Sequence, residues 1–296
     1  MVILAGPISY AQAILLGLVQ GFSELFPISS LGHAVILPQI LGWNIHQNDP
    51  YFITFLIATH LATALVLLGF FWRDWVEIVK GMWRSLQARE IAPENTYGRL
   101  GWLLVVGTIP AGAIGLLFQD SLRSVFASGK SASFFLIVNG FMLYGAERLR
   151  RRAPEAVSSD AAESDQRIAH GTGFRHAFGI GAAQALALIP GISRSGASMG
   201  GGLLVGLNNE DAARFSFLLA TPIIGAAAAL KLPDLFGSSG NGIRGPALAA
   251  ALCAAVTAFF SVRFLVKYFE TKTLTPFAIY CVIAGAASLA YLSATQ

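Results

Sequence analysis

The chain runs in long apolar stretches separated by short polar breaks, with little of the 3.6-residue alternation of a half-buried surface helix. Stretches 52–72, 100–118, 132–146, 212–232, 246–266 and 274–293 come close to the roughly 17–25 residues that carry an α-helix across a bilayer. No segment alternates apolar and polar positions as a lipid-facing barrel strand would. The pattern predicts an all-α, polytopic membrane helix bundle with about six full spans.

Two further apolar segments are interrupted by proline, glycine and serine, at "FPISSLGH" and "IPGISRSGAS". Segments 8–26 with 31–43, and 174–189 with 196–207, read as re-entrant helical hairpins, because neither second arm is long enough to cross. Irregular backbone at membrane depth persists only where protein or a wet cavity satisfies its N–H and C=O groups. A shift of 164 residues lays Gly17 on Gly181, Gln20 on Gln184, Ile28 on Ile192, Ser29 on Ser193 and Gly32 on Gly196. A shift of 162 lays "FLIAT" (55–59) on "FLLAT" (217–221). The order of these matches predicts an inverted repeat: 1–150 with hairpin 8–43 and three spans, a linker at 151–173, and 174–296 with hairpin 174–207 and three spans. An odd number of spans per half sends the second hairpin in from the opposite face, so that the two tips meet near the midplane.

Composition agrees with this: 55% of the 296 residues are hydrophobic and 12% are charged. The net charge of +4 does not point to nucleic acid, because the basic residues gather in 73–99 and 147–175, as cytoplasmic loops do. Loops 44–51, 119–131 and 233–245 carry only Arg123, Lys130 and Arg244, which puts them outside. The run "APEAVSSDAAESDQ" has too little apolar surface to fold and predicts a flexible linker. The arginines at 148–152 suit contact with anionic membrane lipids. Cys253 and Cys281 lie inside spans as small hydrophobes, with no spacing that suggests a disulfide or metal. No basic segment followed by a cleavage site opens the chain, so Met1 to Leu16 read as mature sequence.

Two ionisable residues stand apart from loops and span ends: Glu24 and Arg194. Within an apolar segment such groups are functional by default, although a buried ion pair that only fixes helix packing is the competing reading. Gln20 lies one turn before Glu24 on the same face, so the two can offer oxygen ligands to a hard divalent cation; an interhelical hydrogen bond is the alternative for Gln20. Ser29 and Ser30 precede His33, a grouping that suits a hydroxyl nucleophile beside a proton-transfer group, while Ser29 alone suits a helix cap. Around Arg194, whose planar fork fits phosphate oxygens, Ser193, Ser195 and Ser198 offer further donors, and Ser29 is a fourth candidate for the same phosphate. His60 either lines the cavity or bonds across helices.

"QGFSELFPISSLGH", "PGISRSGAS", "FSFLLATP" (215–222) and "PFAIY" (276–280) together resemble the bacterial undecaprenyl-diphosphate phosphatases of the bacitracin-resistance type, over nearly the whole chain. The resemblance implies hydrolysis of undecaprenyl diphosphate at the outer face of the bacterial inner membrane, recycling the carrier lipid for cell-wall synthesis. It implies Ser30 as nucleophile, His33 as its proton-transfer partner, Glu24 and Gln20 at an acidic motif with Mg²⁺ or Ca²⁺, and Arg194 on phosphate. It also implies a fold with two re-entrant hairpins and often a homodimer. Many members have Glu where this chain has Gln20, and some carry a hydroxyl where it has Leu31, which bears on metal preference and on one donor. A transporter or flippase of a phosphorylated polyprenyl lipid is the alternative, since broken helices around a midplane site are also transporter architecture.

Overall fold

The computed structural model describes residues 8–45, 49–126, 128–150, 160–237 and 240–295, and among these every regular element is helical. In chain order they are α1 (Tyr10–Ser23), α2 (Ser30–Ile40), α3 (Pro50–Phe70), α4 (Trp72–Ala88), α5 (Thr96–Phe126), α6 (Gly129–Leu149), α7 (Ala161–Gly171), α8 (Phe174–Ala185), α9 (Arg194–Leu204), α10 (Asn209–Phe236), α11 (Arg244–Phe269) and α12 (Thr275–Thr295).

Local chemistry sets the hairpin arms. Ser9 and Gln12 form a reciprocal capping box that starts α1, with Ser9 N–H donating to Gln12 Oε1 at 2.9 Å. Pro27 then removes the donor that a further turn would need. Helices α1 and α2, of 14 and 11 residues, extend about 21 and 17 Å, short of a bilayer core of about 30 Å. In the second hairpin α8 tightens into a 3-10 turn at Leu186–Leu188 before the chain reverses into α9.

Among the described residues five helices, α3, α5, α10, α11 and α12, are long and apolar enough to cross a membrane. Helix α6, the sixth expected span, matches them in length at 21 residues and carries Lys130, Glu147 and Arg148 near its ends. The principal packing pairs are α6 on α12, α1 on α11, α3 on α11, α8 on α5 and α3 on α10. Each hairpin's first arm thus rests on the middle span of the other half. Small residues permit it: Gly17 of α1 sits against the Ala250 carbonyl, and Gly181 of α8, 164 residues later, against the Gly107 carbonyl.

The hairpins open toward opposite ends of the bundle. Ile8, Ile45, Phe52 and Ile243 cluster at one end, where the first hairpin opens. At the other, Arg99 lies over the Phe174 ring at 5.6 Å, and the Leu274 N–H donates to Glu147 Oε2 at 3.0 Å. We call this second end basic, because it gathers Arg73, Lys80, Arg84, Arg89, Arg148, Arg167, Arg175, Lys267 and Lys272.

Two segments at the basic end depart from the sequence expectation. The loop expected at 73–99 is helical over α4, whose apolar face is too narrow to resemble a span. Within the linker expected at 151–173, residues 151–159 lie outside the described residues, but Ala161–Gly171 forms α7. Its few apolar side chains suffice because Ile168 and Ala169 are wholly buried and its charges find partners far along the chain. Asp165 takes Arg214 at 2.7 Å, Arg214 also reaches Asp74 at 2.9 Å, and Arg167 reaches Asp211 at 2.8 Å.

The glycine contacts give a test. Gly17→Ala and Gly181→Ala each force a methyl into a backbone carbonyl and are expected to destabilise the protein by roughly 1–3 kcal/mol. Gly145→Ala, inside α6 and meeting open space, should hold or slightly raise the melting temperature in detergent, by helix propensity of about 0.5–1 kcal/mol.

Candidate active site

The two hairpin turns meet, and they do so reciprocally. A methyl built on Gly32 would lie 3.0 Å from Gly191 Cα, and one built on Gly196 would lie 3.3 Å from Pro27 Cβ. These four residues form two pairs related by the 164-residue shift. Each following arm starts with the same cap: Ser29 Oγ accepts the Gly32 N–H, and Ser193 Oγ accepts the Gly196 N–H, both at 3.1 Å. Gly191 has φ +106°, open only to glycine at low cost, whereas Ser29 holds φ +68° as a β-carbon-bearing residue, a strained backbone of the kind that collects at functional sites.

Sequence reasoning missed the residue that ties the turns together. Asn139, wholly buried in α6, donates from Nδ2 to Pro27 O at 3.0 Å and accepts the Ser193 N–H at 3.0 Å. A lone amide in an apolar span was the available signal.

Above this clamp the symmetric frame carries unlike side chains. Glu24, 5% exposed, ends α1 and becomes a hub. Its Oε1 accepts Arg194 Nε at 3.1 Å; its Oε2 accepts Ser30 Oγ at 2.5 Å and Gln20 Nε2 at 3.0 Å. His60 Nε2 lies 3.3 Å from the same Oε2. Its Nδ1 faces the Leu56 carbonyl at 2.7 Å and must donate there, so the Nε2 contact needs a second proton between ring and carboxylate. His60 therefore joins the polar cluster instead of bridging helices at a distance from it.

Arg194 is only partly satisfied by its pair with Glu24. Only its Nε engages Glu24; Nη1 and Nη2 are buried with no partner, as is Gln20 Oε1. An ion pair serving packing alone would satisfy the guanidinium, since unpartnered buried donors are costly. Two free N–H-bearing nitrogens beside a buried carboxylate and a hydroxyl form a receptor for an anion with several oxygens.

The remaining expected site residues have other partners. His33 Nδ1 donates to Ser29 O at 2.8 Å, which leaves Nε2 of the neutral ring to accept the Tyr280 hydroxyl at 2.8 Å, with the rings stacked. Neither nitrogen is left for Ser30, whose proton goes to Glu24. Ser195 Oγ donates to Phe26 O at 3.0 Å, so Ser193 Oγ donates to Ser195 at 3.0 Å. Ser198 Oγ bonds to Arg194 O at 2.9 Å and to Ser216 Oγ at 2.6 Å. These three serines, read from sequence as phosphate donors, brace the second turn. Ser29 alone among the four keeps a hydroxyl proton without an assigned acceptor.

The oxygen set also bears on a divalent cation. Among the described residues no three His, Cys, Asp or Glu side chains gather to hold a metal. Gln20 Oε1 is unpartnered and Glu24 Oε1 accepts a single bond, so the cluster fits a hard cation only where substrate oxygens or water complete the shell.

The family model described as bacitracin resistance protein BacA matches residues 13–287. The chain belongs to that family. A relative from Mycolicibacterium paratuberculosis, named undecaprenyl-diphosphatase, is 48% identical, covering 97% of this chain and 98% of its own. One from Granulibacter bethesdensis, with the same name, is 44% identical over 95% and 96%. A third from Frankia alni, named undecaprenyl-diphosphatase 2, is 42% identical over 94% and 96%. The similarity spans both hairpins and all the spans, so the site just described falls within the family match.

Asn139→Leu should leave the Ser193 N–H unpaired, at about 1–3 kcal/mol, and the Pro27 carbonyl with only the weak Cys281 thiol at 3.8 Å. Hydrogen–deuterium exchange of segments 27–33 and 191–197 should accelerate in this variant while α3 and α10 keep wild-type protection.

Proposed function

We propose that this membrane protein hydrolyses undecaprenyl diphosphate to undecaprenyl phosphate and inorganic phosphate. The observation that carries the reading is the pair of buried, unpartnered Arg194 nitrogens beside the Glu24–Ser30 hydrogen bond. The names of the family relatives support the same chemistry, and none of them supports transport.

In this mechanism Arg194 Nη1 and Nη2 hold the non-bridging oxygens of the terminal phosphate, and Ser30 Oγ attacks its phosphorus. The serine proton passes to Glu24 as the bond to the bridging oxygen breaks and undecaprenyl phosphate leaves. Water then attacks the phosphoserine, inorganic phosphate departs and the hydroxyl is restored. Glu24 acts as base in place of His33 because it already accepts the Ser30 hydrogen bond, and His60, which shares a proton with the same carboxylate oxygen, holds that carboxylate in place. His33 orients the strained Ser29 peptide through its carbonyl. Phosphoryl transfer depends chiefly on positioning and charge neutralisation, which a preorganised guanidinium in a water-poor site provides. Gln20 and Glu24 would hold a Mg²⁺ or Ca²⁺ that adds to this neutralisation when bound. An approach to the site from the outer leaflet of the inner membrane belongs to the proposal and rests on the gathering of basic residues at one end of the bundle. A homodimer also belongs to it, on the family resemblance.

Phosphate release from a polyprenyl diphosphate by purified protein in detergent tests the reading. Glu24→Gln and Arg194→Lys are each expected to lower turnover by roughly 10²–10³-fold, Ser30→Ala to abolish it, and chelator to reduce it. Near-normal turnover of Ser30→Ala would move the attack to water, and no phosphate release by the wild type would overturn the proposal.

A further inference from the structure

Helix α11 has 26 residues and extends about 39 Å, beyond a bilayer core of about 30 Å, so its last turns rise into the headgroup layer of the basic end. There a shallow cleft of about 410 Å³ is lined by Phe260, Arg263, Phe264, Lys267, Tyr268 and Lys272. Arg263, Lys267 and Lys272 are exposed and join none of the ion pairs among the described residues. Of the carboxylates near this end, Glu147 holds the Leu274 N–H and Glu210 pairs with Arg167, while Glu270, half-buried at the end of α11 between Lys267 and Lys272 in the chain, offsets part of the positive charge. Phe260 and Phe264 are 64% and 52% exposed, and with Leu252 and Val256 they continue an open apolar stripe down the same helix.

We infer that this cleft binds the headgroup phosphate of an anionic glycerophospholipid of the leaflet at the basic end. The three cations take the phosphate, the aromatic floor carries the glycerol region, and one acyl chain lies along the stripe. Three exposed cations set against the one carboxylate of Glu270 leave a net positive cleft over apolar surface, which suits an amphiphile with a negative head, and a zwitterionic head gains little from it. The cleft is a different place from the site between the hairpins, yet it is joined to it. Phe264 stacks on Phe26 at 5.9 Å, and Phe26 is next to Pro27 at the first turn. A lipid seated here therefore braces the aromatic wall behind Glu24. The inference stands without the catalytic reading.

The test is native mass spectrometry of the full chain released from nanodiscs of equal phosphatidylglycerol and phosphatidylcholine. The wild type is expected to retain phosphatidylglycerol selectively. In the triple variant Arg263→Gln, Lys267→Gln and Lys272→Gln the preference should fall by about fivefold per cation removed. The charge-preserving set Arg263→Lys, Lys267→Arg and Lys272→Arg should keep it, which separates loss of charge from loss of fold. Equal retention of both lipids by the wild type, or an unchanged preference in the triple Gln variant, would overturn the inference. Displacement of the retained lipid by millimolar inorganic phosphate would overturn the choice of a lipid, and tighter retention of added polyprenyl phosphate would overturn the choice of a glycerophospholipid.

Discussion

Two chain reversals lie where no solvent can complete their backbone hydrogen bonds, and the rest of the architecture answers to that constraint. The turns solve it jointly. Asn139 takes a carbonyl from one and an N–H from the other, Ser195 reaches across to the Phe26 carbonyl, and paired caps close the first turn of each following arm. Glycines at the contact let the turns approach closely enough for this exchange, and the first arms lean on the opposite half through glycines of their own. Once the turns are locked, side chains leaving them have few alternatives in direction, so a carboxylate and a guanidinium are held together in a site that is largely dry.

The frame is nearly symmetric and its contents are not. Position 24 is Glu and its counterpart 188 is Leu; position 30 is Ser and its counterpart 194 is Arg. Gln20 consequently has Glu24 to bond, whereas Gln184 is buried with neither amide atom partnered. Repetition supplies the scaffold, and divergence at a few positions supplies opposite charges on its two sides. That division of labour suits phosphoryl chemistry, which needs a base on one flank of the reacting phosphorus and a cationic receptor on the other.

Much of this was legible in the residues. The hairpins, the spans and the Glu24–Arg194 meeting follow from where proline, serine and charge interrupt apolar runs. What escaped notice depended on partners distant in the chain. Helix α7 is polar by composition and becomes stable only through Arg214, Asp211 and a buried Ile168. Helix α4 has too narrow an apolar face for a search that looks for spans. Hydroxyl roles were illegible for a related reason: a serine in a signature motif reads as a donor to substrate, and only coordinates reveal that the second turn consumes three of them.

The bond from Arg194 to Glu24 joins residues 170 positions apart. At the usual pace of synthesis, about 5–20 residues per second, the ribosome completes the acid on the order of ten to thirty seconds before its counter-ion exists. During that interval Glu24 has Gln20, Ser30 and His60 of its own half, and Asn139 can already take the Pro27 carbonyl, but the guanidinium and the second turn are missing. The first half thus carries its acid through synthesis on partners of its own, and what the second half adds late is the counter-charge and the turn that gives the Ser193 N–H to Asn139 and the Ser195 hydroxyl to the Phe26 carbonyl.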